Sequence, residues 1–222
     1  MTPSLKKIEK RTRYDLVKRT KMENFRLLNE QYARHGQTVL IGDSITEIFN
    51  WYELFENYTR QTGQAVYNRG ISGDTSDRLL ERLDCNALNI DPRNLVILIG
   101  TNDLGVGAPI SFTVENVEKI LQQCRTSLPE LNIILQAVYP VNKHLSRDAV
   151  YMVGRRKNET IARLNAELRP LAERYGAHWL NLTNNLTDAH GDLSAGYGYD
   201  GLHLNARGFE IAARGILPLL AR

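Results

Sequence analysis

The sequence predicts a three-layer α/β/α fold of the flavodoxin-like type, with a five-stranded parallel sheet in the order 2-1-3-4-5. Three observations carry that expectation. Five short apolar runs recur between residues 38 and 182. They are continuous rather than alternating, as suits strands covered on both faces. Helical stretches separate them, and alternation of strand with helix gives a mostly parallel sheet layered on both sides.

The first run is Thr38 to Ile41, ending in Gly42. Ala65 to Tyr67 is a weaker second. Leu95 to Ile99 is the strongest, bounded by Asn94 and Gly100. Asn132 to Val138 and His178 to Leu182 are the fourth and fifth. A helix is expected after each. Glu47 to Tyr58 follows the first strand. Thr75 to Leu88 follows the second, with Leu79, Leu80 and Leu83 on one side. Val114 to Leu128 brings Val117, Ile120, Leu121 and Cys124 to one face, and Asn158 to Arg174 does the same with Ile161, Leu164, Leu168 and Leu171. Ala206 to Leu220 closes the chain.

Residues 1–36 stand apart as a basic helical segment ahead of the domain at 37–222. Residues 1–30 hold nine Lys/Arg and four Asp/Glu, so the net +3 of the chain leaves −2 on the remainder. A solvated amphipathic helix explains this charge run without nucleic acid. Leu5, Ile8, Leu16, Met22, Phe25, Leu28 and Tyr32 are expected to form its packed side, against the body or against a second copy in a homodimer.

At 222 residues the chain can bury one substantial core. Its longest purely apolar run, Leu95 to Ile99, is far short of a membrane span. No apolar stretch follows the basic N-terminus to make a secretory signal. Cys85 and Cys124 lack CxxC spacing and read as reduced thiols, so a cytoplasmic location is expected. His35, His144, His178 and His190 show no metal-ligand spacing, and there is no Gly-rich phosphate loop. No cofactor, metal, nucleic acid or membrane insertion is expected.

Four short words stand out, three just past strands one to three and the fourth between strand five and the last helix: Gly42-Asp43-Ser44, Ile71-Ser72-Gly73-Asp74, Gly100-Thr101-Asn102-Asp103 and Asp200-Gly201-Leu202-His203. Each has a plain structural reading. Ser44 with Glu47 matches a capping box. Ile71 to Thr75 suits a strand-to-helix turn in which Gly73 supplies permissive dihedrals. Asn102-Asp103 suits an Asx turn, with Asp103 as a turn or helix-start residue. His203 could lie solvated in a polar loop before a helix capped by Asn205. Each also has a chemical reading. Ser44 would be exposed to substrate beside a helix N-terminus. The Gly73 N–H and the Asn102 amide would donate to an oxyanion, and an amide does so without charge. Asp200 would accept from one imidazole nitrogen of His203, leaving the other to deprotonate a hydroxyl. In a 2-1-3-4-5 sheet the first three words lie on neighbouring strands, so all four converge on one rim.

These words make the chain resemble the SGNH, or GDSL-type, hydrolases, in particular platelet-activating-factor-acetylhydrolase-like and lysophospholipase-like members. The resemblance runs from about Thr38 to Leu217, with Ile45 a conservative departure from the Leu of many relatives. It implies Ser44 as nucleophile, His203 as base and then acid, and Asp200 as its orienting partner. It also implies an oxyanion hole of the Ser44 N–H, the Gly73 N–H and the Asn102 amide. The expected reaction is hydrolysis of a small-molecule carboxylic ester, lipid-derived or short-acyl, with a carbohydrate O-acetylesterase as the near alternative. A metallophosphoesterase and a non-catalytic binding module are the more distant ones. The connection from Tyr139 to Asn158 is long enough for a lid or binding loop, and its Lys143, His144, Arg147, Tyr151, Met152, Arg155 and Arg156 would suit an anionic or sugar portion; a partly helical surface excursion with solvated charges is the equal alternative. Tyr139, Tyr199 and Leu202 are the side chains expected to bind substrate, and Tyr197 and Tyr199, just before Asp200, would either line the cleft or pack that loop.

Overall fold

The computed structural model describes residues 3–221, with side chains from Asp15 onward. A long helix, α1 (Pro3–Gln31), leads into β1 (Thr38–Gly42). Three short helices follow, α2 (Ser44–Glu47), α3 (Trp51–Leu54) and α4 (Glu56–Thr62), then β2 (Val66–Gly70) and α5 (Ser76–Asn86). Next come β3 (Asn94–Leu98), α6 (Thr101–Val106), α7 (Ile110–Ser127), β4 (Asn132–Gln136), α8 (Ala149–Val153) and α9 (Asn158–Arg174). The chain ends with β5 (His178–Leu180), α10 (Thr183–Leu186) and α11 (Ala206–Ile216).

The five strands pair in parallel in the order β2-β1-β3-β4-β5, as expected. Alternate strand residues feed two cores. Val39, Ile41, Leu95, Ile97, Ile133 and Leu135 pack with Leu79 and Leu83 of α5, Val117 and Ile120 of α7 and Leu164 and Leu168 of α9. Leu40, Val96, Leu98 and Ile134 pack on the other face with Trp51, Phe55, Phe209, Ala212 and Ile216. Burying each such side chain contributes about 1.5–3 kcal/mol, so both helix layers are held by the strands they cover. Strand continuity in the sequence thus reflects a sheet that is dry on both sides.

Two local expectations fail. The stretch Glu47 to Tyr58 is three helices rather than one. The Thr46 carbonyl, which a continuing helix would engage, instead accepts from the Trp51 indole at 2.8 Å and the Asn68 amide at 2.8 Å. The break lets Trp51, Phe55 and Tyr58 all reach the interior.

The packed side of α1 is also different. Leu16, Leu28 and Tyr32 point into solvent, whereas Lys18 and Asn29 are buried. Leu5 and Ile8 lie outside the residues whose side chains are described. The reason is the surface beneath. It carries Asp74, Glu47 and Arg69, and α1 answers with charge and hydrogen bonds. Lys18 pairs with Asp74 and Lys21 with Glu47. Asn29 Oδ1 accepts from both Arg69 Nε and Nη2, at 3.1 and 2.8 Å. Phe25 contributes its ring, 5.1 Å from the Arg69 guanidinium. An apolar stripe could not have met those groups without stranding them.

Candidate active site

Strand β1 ends at Gly42, and the chain turns at once into α2. The N-cap of α2 is Asp43, whose side chain accepts from the Ile45 N–H at 2.9 Å. Ser44 is therefore the first helical residue and not the cap, which removes the capping-box reading. Its hydroxyl is free for another partner and lies 2.8 Å from His203 Nε2. The other ring nitrogen, Nδ1, lies 2.6 Å from Asp200 Oδ2. Asp200 Oδ1 accepts the His203 and Leu202 N–H groups at 2.7 and 3.0 Å. One carboxylate thus fixes both the backbone turn and the ring it carries. Burial would raise the Asp200 carboxyl, but these hydrogen bonds outweigh it and hold the group below the ordinary carboxylate range.

The turn needs Gly201. Its φ is +86°, and a Cβ there would stand 2.2 Å from the Asn142 carbonyl. Asn142 N–H in turn donates to the Gly201 carbonyl at 2.8 Å. The connection after β4 therefore seats the Asp200–His203 turn against the sheet.

Gly73 follows β2 with φ +74°, a left-handed backbone suited to glycine. Behind it, the Glu47 carboxylate accepts the Ser72 N–H. The buried Asp74 is held between Lys18 of α1 and Arg82 of α5, the latter at 2.6 Å. Asn102 lies on the first turn of α6. Its Nδ2 donates to the Asp74 carbonyl at 3.0 Å, and its Oδ1 accepts from Arg156 Nη2 at 2.8 Å. Ser44, being the first residue of α2, has an N–H that no carbonyl of its own helix can accept. The words after β1, β2 and β3 are thus neighbours on the carboxyl edge of the sheet, and the fourth word joins them through the Ser44–His203 contact.

Several residues of this site were not legible as such. Asp103 is fully buried and ties the segments after β2 and β3 together, its Oδ1 accepting from Ser76 Oγ at 2.5 Å and its Oδ2 from the Ser76 N–H at 3.1 Å. Burial is the main influence that pushes its carboxyl up. Asp43 is likewise buried, and desolvation pushes it up to about 6. Acidic residues directly after an apolar strand are the signal that could have marked both. Arg156 carried no such signal, because it stood among other basic residues of a long connection.

Two expected cleft residues are elsewhere. Tyr139 is buried in the core with its hydroxyl donating to Gln136 Oε1 at 2.6 Å, and Leu202 is 6 % exposed among core side chains. Both anchor their segments from beneath and leave little surface to a ligand. Tyr199 is exposed and stacks on His203, ring centroids 5.9 Å apart. A cavity of about 690 Å³ opens beside Gly73 and Asn102, with Val106, Pro109, Phe112 and Tyr151 in its walls. Among the described residues no three His, Cys, Asp or Glu side chains group to hold a metal ion, and no helix is long and apolar enough to cross a membrane.

Known proteins resemble this chain in sequence and in fold. Residues 40–211 match the model of a GDSL-like lipase/acylhydrolase family. The chain is 28% identical, over 64% of its length, to thioesterase 1/protease 1/lysophospholipase L1 of Escherichia coli K12. It is 29% identical over 70% of its length to an N-acylneuraminate cytidylyltransferase of Escherichia coli O18:K1:H7. The matches span 65% of the first of these relatives and 35% of the second. A structure of a candidate platelet activating factor from Streptococcus pneumonia superposes with a TM-score of 0.90 at 28% identity, covering 99% of this chain and 100% of the other.

Proposed function

From the premise that the chain belongs to the GDSL-like lipase/acylhydrolase family, we propose that it is an ester hydrolase and cleaves carboxylic esters through an acyl-serine on Ser44. The observation that carries this reading is the relay from Ser44 Oγ to His203 Nε2 at 2.8 Å and from His203 Nδ1 to Asp200 Oδ2 at 2.6 Å. His203 takes the Ser44 proton as the oxygen attacks the ester carbonyl. The Gly73 N–H, the Ser44 N–H and the Asn102 amide receive the oxyanion. His203 then passes its proton to the leaving alcohol, and the acyl group stays on Ser44. Water, deprotonated by the same ring, releases the acid and restores the serine. Asp200 remains ionised throughout and steadies the imidazolium, in keeping with its lowered carboxyl.

The substrate is a small-molecule ester, lysophospholipid-like or short-acyl. The cavity of about 690 Å³ beside Gly73 and Asn102 is of the size that holds such molecules, and its Val106, Phe112 and Tyr151 suit an acyl chain. A fluorophosphonate probe and a series of p-nitrophenyl esters of rising chain length, with acetylated sugars beside them, test the reading. We expect covalent mass on Ser44, ester turnover in the wild type, and near-total loss of both in Ser44→Ala. Equal turnover in the two proteins would remove the proposal, and turnover confined to acetylated sugars would replace its substrate.

A further inference from the structure

The Asn102 amide is useful as an oxyanion donor only in one of its two orientations. Turned by half a rotation, it would present its oxygen to a developing negative charge. Its neighbours decide which way it lies. The Asp74 carbonyl can only accept, and it takes a hydrogen from Nδ2 at 3.0 Å. The Arg156 guanidinium can only donate, and Nη2 reaches Oδ1 at 2.8 Å. Nδ2 has a second hydrogen, for which the described residues show no acceptor.

Arg156 is itself held with little freedom. It is 8 % exposed. Nε donates to the Thr101 carbonyl at 2.8 Å and hydroxyl at 3.0 Å, and Nη1 to the Met152 and Val153 carbonyls, both at 3.1 Å. The guanidinium lies across α6 where Gly105 leaves room. A Cβ on Gly105 would stand 2.5 Å from Nη2 and 2.6 Å from Cζ. A buried cation is costly to keep, and carbonyl acceptors, the Thr101 hydroxyl and one amide oxygen help to offset it here.

We propose that Arg156 is a positioning residue for the esterase reaction, locking Asn102 so that its N–H faces the oxyanion. This deepens the ester-hydrolysis reading above and rests on it. The connection after β4 would then contribute to the transition state through Asn102 without contacting the reacting atoms.

The test uses Arg156→Met and Gly105→Ala, each alone and combined with Asn102→Ala, assayed on one p-nitrophenyl ester. Gly105→Ala keeps every charge and adds a better helix former, yet displaces the guanidinium. Loss of one oxyanion donor lowers kcat by about 10²–10³-fold, and a misdirected donor is expected to lower it by about 10–100-fold. We expect both single variants to show that fall in kcat with KM little changed. In the Asn102→Ala background neither should add to the loss, because the group they direct is gone. A purely structural role would lower stability and multiply with Asn102→Ala. Wild-type kcat in both single variants, or full multiplication in both double variants, would overturn the positioning role. Should Arg156→Met fail to fold, Gly105→Ala decides alone. A wild type that hydrolyses no ester and takes no fluorophosphonate refutes the underlying activity instead, so the two failures are distinguishable.

Discussion

Asp43 shows at the scale of one residue how the site is held under tension. Its side chain is fully buried, one oxygen capping the Ile45 N–H and the other with no hydrogen-bond donor among the described residues. Desolvation, partly offset by that N–H, raises its carboxyl to about 6 from an ordinary value near 3.8. The sign follows directly. Below about pH 4 the group is protonated whether the chain is folded or not, and it costs nothing. As pH rises toward 6 the unfolded chain ionises first, so the native state loses stability, and above 6 the penalty is complete. Asp43→Asn keeps an oxygen for the Ile45 N–H and never ionises. It should therefore be the more stable protein at pH 7.5, by about 2–3 kcal/mol on the linkage relation, and lose that advantage at pH 4. Urea melts at the two pH values check this, and a gap independent of pH would contradict the assignment. The same residue shows what the sequence concealed. Ser44 and Glu47 fit a capping box, and only the fold reveals that Asp43 takes the cap and releases the serine hydroxyl to His203.

At the scale of elements, the position of Ser44, the proposed nucleophile, depends on how closely α2 can lie against β2. Gly70 permits that approach, since a Cβ there would stand 2.4 Å from the Glu47 backbone nitrogen and 2.8 Å from its Cα. Backbone cannot swing aside, so Gly70→Ala must part β2 from α2 and carry Ser44 with it. Gly63 offers the control. Its φ is +71° at the end of α4 and nothing lies within 4 Å of its would-be Cβ. Each alanine should destabilise by about 1–3 kcal/mol, one through overpacking and the other through left-handed strain. Only Gly70→Ala should lower kcat, which chemical denaturation and steady-state assays together would show. An equal kcat in both variants would separate α2 from the site. Close approaches of this kind explain what could be read in advance. A strand that ends in glycine and turns into a helix leaves a local pattern, and so do Asn102 after Gly100 and His203 three residues beyond Asp200. The docking of α1 leaves none. Lys18 and Lys21 look like any solvated cations until Asp74 and Glu47 are brought beneath them by a different part of the chain. Arg156 and Tyr139 are illegible for the same reason, since burial is a property of the neighbours and not of the residue.

Across the whole molecule, the two halves of the relay rest on supports of unequal strength. Ser44, Gly73 and Asn102 follow β1, β2 and β3, of which β1 and β3 are interior strands buried along their whole length. Asp200 and His203 belong to a long segment after β5, an edge strand of three residues. That segment holds only the four-residue α10 and two isolated bridges, Thr187 with Leu193 and Gly198 with Leu204. Leu186, Leu193 and Leu204 anchor it in the core, so it is ordered in the native state. Anchors without a ladder still open more readily than paired interior strands, because fewer backbone hydrogen bonds must break together. Local opening there would withdraw His203, the proposed base, while Ser44, Gly73 and Asn102 stayed in place. In rising urea, ester turnover should therefore fall before the far-UV circular dichroism of the sheet and helices. Hydrogen exchange should be faster at the backbone amides of Tyr197 to Asn205 than at Ile41 or Ile97. Coincident loss of activity and dichroism, with equal protection at both places, would mean instead that the whole chain opens as one unit and that the core anchors outweigh the missing ladder.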